Sequence, residues 1–379
     1  MSTMSEGFYL SLMIGPAVPI PVSKDVLDAL QSLQVMVTAG TSTNGFELTF
    51  SIQKNSPLIT LFLLSGGSIL PLVRVVIVVT VNGTPEVLMD GVMTEYDISP
   101  GSDGGPSTLK IKGKDLTAVM DYIDLSGLPY PAMPAEARVA LAVAKYAFLG
   151  IVPLVIPSVL IDIPIPLDRI PTHQGTDLQY IRSLADEVGY VFYIDPGPAP
   201  GMSIAYWGPE IKVGHPQPPL NVDMDAHTNV ESLSFSFDTE SKKLPVILIQ
   251  ESISKALIPI PVPDITPLCP PLGLIPPLPN DIEWITGTAK LSPIRAAAVG
   301  LAKAARSSDA VSASGNLDVL RYGHVLKARK LVSVRGAGNA FDGLYYVKSV
   351  THNIKRGEYK QSFTLSRNGL ISTLQKVPV

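Results

Sequence analysis

Apolar and polar residues alternate along much of this chain. Phe46, Leu48, Phe50 and Ile52 occupy every second position of one run. In a late run Tyr359, Phe363 and Leu365 share one parity, while Lys360, Ser362, Thr364 and Ser366 share the other. This alternation predicts strands with one core face and one wet face. It also gives strands at Val35–Ala39, Val73–Val81, Glu86–Met93, Thr108–Lys112, Tyr190–Ile194, Met202–Trp207, Glu231–Phe237, Val246–Glu251, Val325–Val334 and Leu344–Ile354. Asn82-Gly83 marks a hairpin turn, because both residues tolerate positive φ. A helical period takes over at Ser23–Leu33, with Ser23 as N-cap, and at Asp115–Tyr122, Ala135–Phe148 and Ser292–Ser307. The clearest helix is Thr176–Val188. Thr176 and Gln179 form a capping box, Leu178, Ile181, Leu184, Ala185 and Val188 make its buried stripe, and Gly189 ends it.

One passage is written twice. Val81-Asn82-Gly83, Asp90-Gly91 and Ser107–Gly113 are matched in order by Val334-Arg335-Gly336, Asp342-Gly343 and Ser362–Gly369. The expected fold is mainly β: two tube-like antiparallel β-barrel modules related by internal duplication, plus an inserted α+β domain. The expected boundaries are 1–113 for the first barrel and 114–220 for the α+β insert. The second, discontinuous barrel takes 221–252 and 315–379, and a Pro-rich and helical insertion takes 253–314. Three copies around an axis present six similar modules, so a trimer faces a six-fold partner. The strands at Phe46–Ile52 and Tyr359–Arg367 are the expected open edges, which a neighbour must cover.

Composition sharpens this picture. Of 379 residues 46% are hydrophobic and only 16% charged, against ~25% charged in an ordinary soluble chain. Low charge with much apolar surface favours an obligate assembly. A net charge of −4 offers no basic field for nucleic acid. A lone cysteine, Cys269, excludes an intramolecular disulfide framework and a Cys-rich zinc site. Met1–Tyr9 lacks the basic run of a secretory signal. The most apolar stretch, Tyr146–Ile170, is interrupted by Pro153, Pro157, Pro164 and Pro166 and draws no spanning helix. Synthesis in the cytoplasm without a direct membrane anchor is the expectation. The 35 prolines cluster among Ile, Leu and Val, as in extended connections between modules.

Little catalytic chemistry is written in the chain. His173, His215, His227, His324 and His352 form no helical metal pair, and no nucleophile elbow, zinc-protease or P-loop pattern occurs. Gly336-Ala337-Gly338-Asn339 resembles half a dinucleotide fingerprint, but a strand follows it, so it reads as a β-turn. Asp223 and Asp225 read as solvated loop acids or a cation site, and Asp186 and Glu187 as a solvent-facing pair. Trp207 and Trp284 read as core residues or as platforms for a sugar. No catalytic residue, cofactor or metal is expected. Lys348, His352, Lys355, Arg356, Lys360, Thr364 and Arg367 cluster around the last hairpin. They read as a solvated tip or as a polar docking or channel-facing interface.

Three stretches carry a family resemblance: Leu109–Leu116, running from strand to helix; Gly175–Tyr190; and Gly343–His352, continuing through Phe363–Asn368. Together they resemble the baseplate hub proteins of contractile phage tails, the late control protein D family, and the hub part of the VgrG spikes of type VI secretion. The resemblance implies a homotrimer whose barrels form a pseudo-hexameric ring joining a six-fold inner tail tube to a three-fold spike. It also implies contacts with baseplate wedge or tail proteins, a tape-measure protein in the lumen, and assembly into a virion or injection particle. VgrG chains continue into a needle, whereas this one stops soon after Asn368, so a separate spike protein is expected. The rival expectations are a tail-associated cell-wall hydrolase and a tail-tip glycan-binding adhesin.

Overall fold

The computed structural model describes residues 3–5, 7–16, 18–40, 44–53, 72–101, 105–158, 170–240, 242–250, 257–262, 270–285, 300 and 309–373. The first elements are β1 (Thr3–Ser5), β2 (Phe8–Pro16), β3 (Ile20–Pro21), α1 (Lys24–Ala29), β4 (Leu30–Thr38) and β5 (Gly45–Ile52). A meander of β6 (Val73–Val81), β7 (Thr84–Ser99) and β8 (Ser107–Asp115) follows. An α+β segment then holds a 3-10 turn at Leu116–Asp121, α2 (Ala135–Ala144), β9 (Ile151–Val155), α3 (Asp177–Val188), β10 (Val191–Pro196) and β11 (Ser203–Gly208). Next come β12 (Gln217–Asn221), β13 (Ser232–Phe237), β14 (Lys243–Gln250), β15 (Leu257–Pro261), β16 (Gly273–Ile275) and β17 (Asp281–Ile285). The chain closes with β18 (Val311–Asp318), α4 (Val319–Tyr322), β19 (Leu331–Arg335), β20 (Gly343–Lys355), β21 (Glu358–Arg367) and β22 (Leu370–Ser372).

The fold is mainly β, and the duplication is a duplication of connectivity. In the first half β4 pairs β5, β5 pairs β8, β8 pairs β7 and β7 pairs β6, all antiparallel. In the second half β13 pairs β18, β18 pairs β21, β21 pairs β20 and β20 pairs β19, again all antiparallel. Each long middle strand carries a bulge, at Thr94 in β7 and at Lys348 in β20. The modules are fused: β4 pairs with β20 from Ser349↔Thr38 to Lys355↔Ser32, so one 14-stranded sheet runs through both. They also share one apolar core, in which the rings of Phe8 and Tyr359 lie 5.4 Å apart.

Counting from the bulges corrects the motif matching. Asp90 is equivalent to Leu344, not to Asp342, and Ser362 is equivalent to Lys110, not to Ser107. The cause is the hairpin turn. Asn82-Gly83 closes the first hairpin tightly, whereas Gly336–Asp342 closes the second with a longer loop, so similar dipeptides sit at different distances from the bulge. The expected open edges are also overturned. β5 lies between β4 and β8, and β21 lies between β20 and β18, so both are interior strands. The helix expected over Ser23–Leu33 ends at Ala29, and Ser23 makes no side-chain cap bond. Leu33 and Val35 are drawn into β4 instead, opposite Ile354 and His352. Of Val325–Val334 only the last part is strand, because Leu326 is held by Gln361 through both its N–H and its carbonyl. β14, expected in the second barrel, leaves the main sheet and pairs with β15 and β17 from the Pro-rich segment, burying Val246 and Ile247 there. Cys269, and all of Ser292–Ser307 except Gly300, lie outside the described residues.

The α+β segment has its own apolar cluster, including Leu116, Val139, Ile181, Leu184, Phe192 and Trp207. α3 is capped as expected: the Thr176 side chain accepts from the Gln179 N–H, the Gln179 side chain answers at the Thr176 N–H, and Gly189 sits in the left-handed region. Its Leu-rich stripe packs against β10 and the 3-10 turn. A buried ion pair ties the segment to the sheet. Arg74 on β6 donates from Nε and Nη2 to the two Asp90 oxygens at 2.8 and 2.7 Å, and Nη2 also reaches the carbonyls of Leu149 at 2.7 Å and Gly201 at 3.0 Å. Ser203 on β11 donates to Asp90 from the other side at 3.3 Å.

Two stability predictions follow from this packing. Leu184→Ala opens a cavity in the second cluster and should cost about 2–5 kcal/mol in chemical denaturation. Asp90→Ala leaves the Arg74 guanidinium buried without its counter-charge and should cost about 3–5 kcal/mol. An unchanged melting temperature in either variant would remove that residue from the core argument.

Candidate functional site

The main sheet has an apolar face and a polar face, and the polar face is the candidate site. In the second module the register aligns Ser232, Asn316, Ser362 and Thr351 in one row and Ser234, Ser314, Thr364 and Ser349 in the next. Neighbouring groups hydrogen-bond to each other: Ser234 Oγ with Ser314 Oγ at 3.1 Å, Asn316 Nδ2 to Ser232 Oγ at 3.2 Å, and Ser349 with Thr364. This half carries hydroxyls and amides and almost no charge. In the first module the matching rows are Gln34, Glu47, Lys112, Glu95 and Ser32, Thr49, Lys110, Asp97. These rows alternate in charge: Lys110 pairs with Glu47 at 3.2 Å, and Lys112 with Glu95 at 3.1 Å and Asp97 at 3.4 Å. At the junction Gln34 Nε2 donates to Asn353 Oδ1 at 3.0 Å, which joins the two halves. Such a surface offers many weak, interchangeable hydrogen-bond partners and no convergent acid, base or nucleophile.

The interface residues expected around the last hairpin divide between the two faces. Thr364, Lys360 and Lys355 lie on the polar face; Lys360 pairs with Glu231 at 2.8 Å. Arg356 is at the exposed turn and reaches Asp28 at 3.6 Å. Lys348 projects from the bulge to Asp309 at 3.0 Å. Burial pushes the Asp309 carboxyl up, but the ammonium groups of Lys212 and Lys348 outweigh it and hold the carboxyl below its usual range. His352 and Arg367 are corrections. His352 is 4% exposed and faces the core, where its Nδ1 meets the Tyr359 hydroxyl at 2.8 Å. Arg367 is fully buried; it donates to the carbonyls of Asp342 at 2.9 Å and Ala340 at 2.7 Å and lies 4.5 Å over the Tyr345 ring. Both share the parity of apolar residues, so the alternation assigns them to the core. Charge clustering in the sequence points the other way. The same reading missed the Ser and Asn positions of β13 and β18, although Ser232, Ser234, Ser312, Ser314 and Asn316 alternate as plainly as any residues in the chain.

Asp223 and Asp225 are exposed with positive φ, and among the described residues no cluster of His, Cys, Asp and Glu is arranged to hold a metal. Asp186 and Glu187 lie on the solvent face of α3. Trp207 is fully buried against Tyr190, which removes it as a sugar platform, while Trp284 is 52% exposed. Gly336 and Gly338 adopt positive φ in a turn closed by the Ala337 N–H on Asp342, so no helix opens there. Among the described residues no helix is long and apolar enough to cross a membrane.

Comparison with known proteins places the fold. No family model matches the sequence. No curated protein matches it either. Solved structures do match over almost the full length. A tail protein from Neisseria meningitidis MC58 aligns over 96% of this chain and 98% of its own at 13% identity, with a TM-score of 0.64. The 43 kDa tail protein of prophage MuSo2 from Shewanella oneidensis aligns over 95% and 98% at 12% identity, with a TM-score of 0.59. An Escherichia coli component of the type VI secretion system, with structural similarity to bacteriophage T4 tail proteins, aligns over 92% and 78% at 11% identity, with a TM-score of 0.54. The chain therefore has the fold of phage tail proteins and of type VI secretion components.

The buried histidine makes a pH prediction. Burial drives the His352 pKa from 6.5 down to about 3. The unfolded chain then takes up a proton below pH 6.5 that the folded chain refuses. The histidine's contribution is intact above about pH 6.5 and is lost as pH falls toward about 3, at up to about 1.4 kcal/mol per pH unit. His352→Gln, titrated by denaturant unfolding at each pH, should show a shallower acid limb than the parent protein. Superimposable profiles would refute this assignment.

Proposed function

We propose that this chain is the structural baseplate hub of a contractile tail or related injection particle. In this reading it is a homotrimer whose six β-modules ring a lumen and join a six-fold inner tube to a separate three-fold spike. The observation that carries it is the repeated five-strand connectivity, fused into one sheet, which supplies two equivalent modules per chain. The polar face supports the lumen assignment. Dense, mutually bonded hydroxyls and amides present no apolar patch to hold a passing chain and little net charge to trap one. Baseplate wedge or tail proteins and a tape-measure protein are the further partners. Assembly follows synthesis in the host cytoplasm. The full-length likeness to tail proteins supports a structural role, and the chain is read as having no enzymatic activity. The α+β segment, docked through Arg74 and Asp90, forms the outer part of each subunit.

The test is mass. Purified chain in light scattering should give three times 40.4 kDa, and electron microscopy of tails should place it between tube and spike. A stable monomer at micromolar concentration and physiological salt would overturn the hub reading.

A further inference from the structure

The two modules match in connectivity but not in coverage. β20 uses its first half to pair β19 and its second half to pair β4. Its equivalent, β7, uses its first half to pair β6, from Thr84 to Val92. Beyond Val92 the outer edge of β7 has no strand partner among the described residues. Tyr96 and Ile98, on the edge left open, are 43% and 40% exposed, whereas their equivalents Val350 and His352 are 0% and 4% exposed. The equivalent of β4 is β13, because both pair the second strand of their module in the same register: Leu33 opposite Leu48, and Leu233 opposite Gly315. β13 ends the strand path, so its outer edge too has no strand partner among the described residues. Among the described residues each chain therefore carries one closed joint, β4 on β20, and the two unpaired halves of a second.

From this repetition we infer that β13 of one copy adds antiparallel to the Glu95–Ser99 edge of β7 in a second copy, in the register that β4 takes on β20. The inference rests on the ring reading and names its contact. Transferring the register sets Phe237 opposite Tyr96, Ser236 opposite Asp97, Phe235 opposite Ile98 and Ser234 opposite Ser99. The apolar residues of both edges then fall on one face, continuous with the core, and the polar residues fall on the other. Asp238 comes opposite Glu95, whose carboxylate is already held by Lys112 at 3.1 Å. The contact is head-to-tail: the edge that donates differs from the edge that accepts, so it makes no two-fold pair, and at the rotation the ring reading sets it closes into a ring. Open strand edges invite pairing, and this joint covers both.

The closed joint also says which pairs suit a disulfide. The Ala39 N–H donates to the Lys348 carbonyl at 2.6 Å. Bonded and non-bonded pairs alternate along an antiparallel ladder, and side chains of non-bonded pairs approach most closely. Thr38↔Ser349 and Met36↔Thr351 are therefore non-bonded pairs, and so is the transferred pair Ser236↔Asp97. In a Cys269→Ser background, Ser236→Cys with Asp97→Cys should oxidise to reducible two-chain and three-chain bands. Ser232→Cys with Asp97→Cys, displaced by about 13 Å along the strand, should remain a single-chain band. Hydrogen exchange on the unmodified trimer gives an answer free of any variant: slow exchange over Tyr96–Ile98 and Phe235–Phe237. A trimer by light scattering with rapid exchange there, or with cross-linking only in the displaced pair, would overturn this joint and leave the hub reading standing. A monomeric parent protein would overturn both.

Discussion

The architecture depends on one strand pairing, β4 against β20. Without it the chain would hold two small sheets, each with open edges. With it the backbone groups from Ser32 to Thr38 are satisfied by a strand more than 300 residues later in sequence. That closure is costly in chain entropy, since β20 must form before β4 gains its outer partner. The shared core offsets the cost, as Leu33 and Val35 meet Ile354 and His352 on its apolar face. The fusion also explains why α1 is short. Residues from Leu30 onward gain more from two strand neighbours than from another helical turn, and tertiary pairing overrides local helical propensity.

A second constraint holds the α+β segment. The Arg74–Asp90 pair is buried at both ends, so it is a poor source of net stability and a good source of specificity. Its forked geometry, two bonds to the carboxylate and two to carbonyls of the segment, is met in only one docking pose. Asp90 belongs to the Asp-Gly pair that the sequence matching sets against Asp342-Gly343, yet Asp342 does different work, capping the Ala337 N–H in a turn. The segment meets the second module through different groups, Arg329 pairing with Asp195 at 3.3 Å and lying 4.0 Å over the Tyr193 ring, so the two attachments break the equivalence that the strands preserve.

Local signals were legible in the sequence and remote ones were not. α3 was readable to its caps because a capping box, an apolar stripe and a terminal glycine agree within one short stretch. The strands of the meanders were readable because alternation is local. β9 was missed: Pro153 sits inside it, and its pairing with β11 is parallel and remote. Parity placed His352 and Arg367 in the core and the serines of β13 on the wet face, but residue charge pulled the reading of the site toward the wrong members of the hairpin. The bulges mattered as well. Thr94 and Lys348 each reverse the facing of the residues beyond them, and neither is marked by a glycine or proline. Edge status was hidden altogether, since it depends on which strand arrives from elsewhere in the chain.

The duplication is also unequal in chemistry, and this bears on symmetry. The backbone repeats strand for strand, but the polar face does not. One module presents Glu47, Lys110, Lys112, Glu95 and Asp97 in alternating ion pairs, and the other presents Ser314, Ser362, Thr364, Ser349 and Thr351 at the matching positions. The ring of three chains proposed above would be six-fold in its hydrogen-bonded frame and three-fold in its charge. A partner that reads backbone edges and shape meets six similar stations, while one that reads charge meets three. In the proposed ring the two symmetries would reside in different parts of the same strands. The charged rows cost little, as each lysine sits within ion-pair distance of a carboxylate on a neighbouring strand, and solvent screens exposed pairs of this kind. Their value lies in pattern and not in stability.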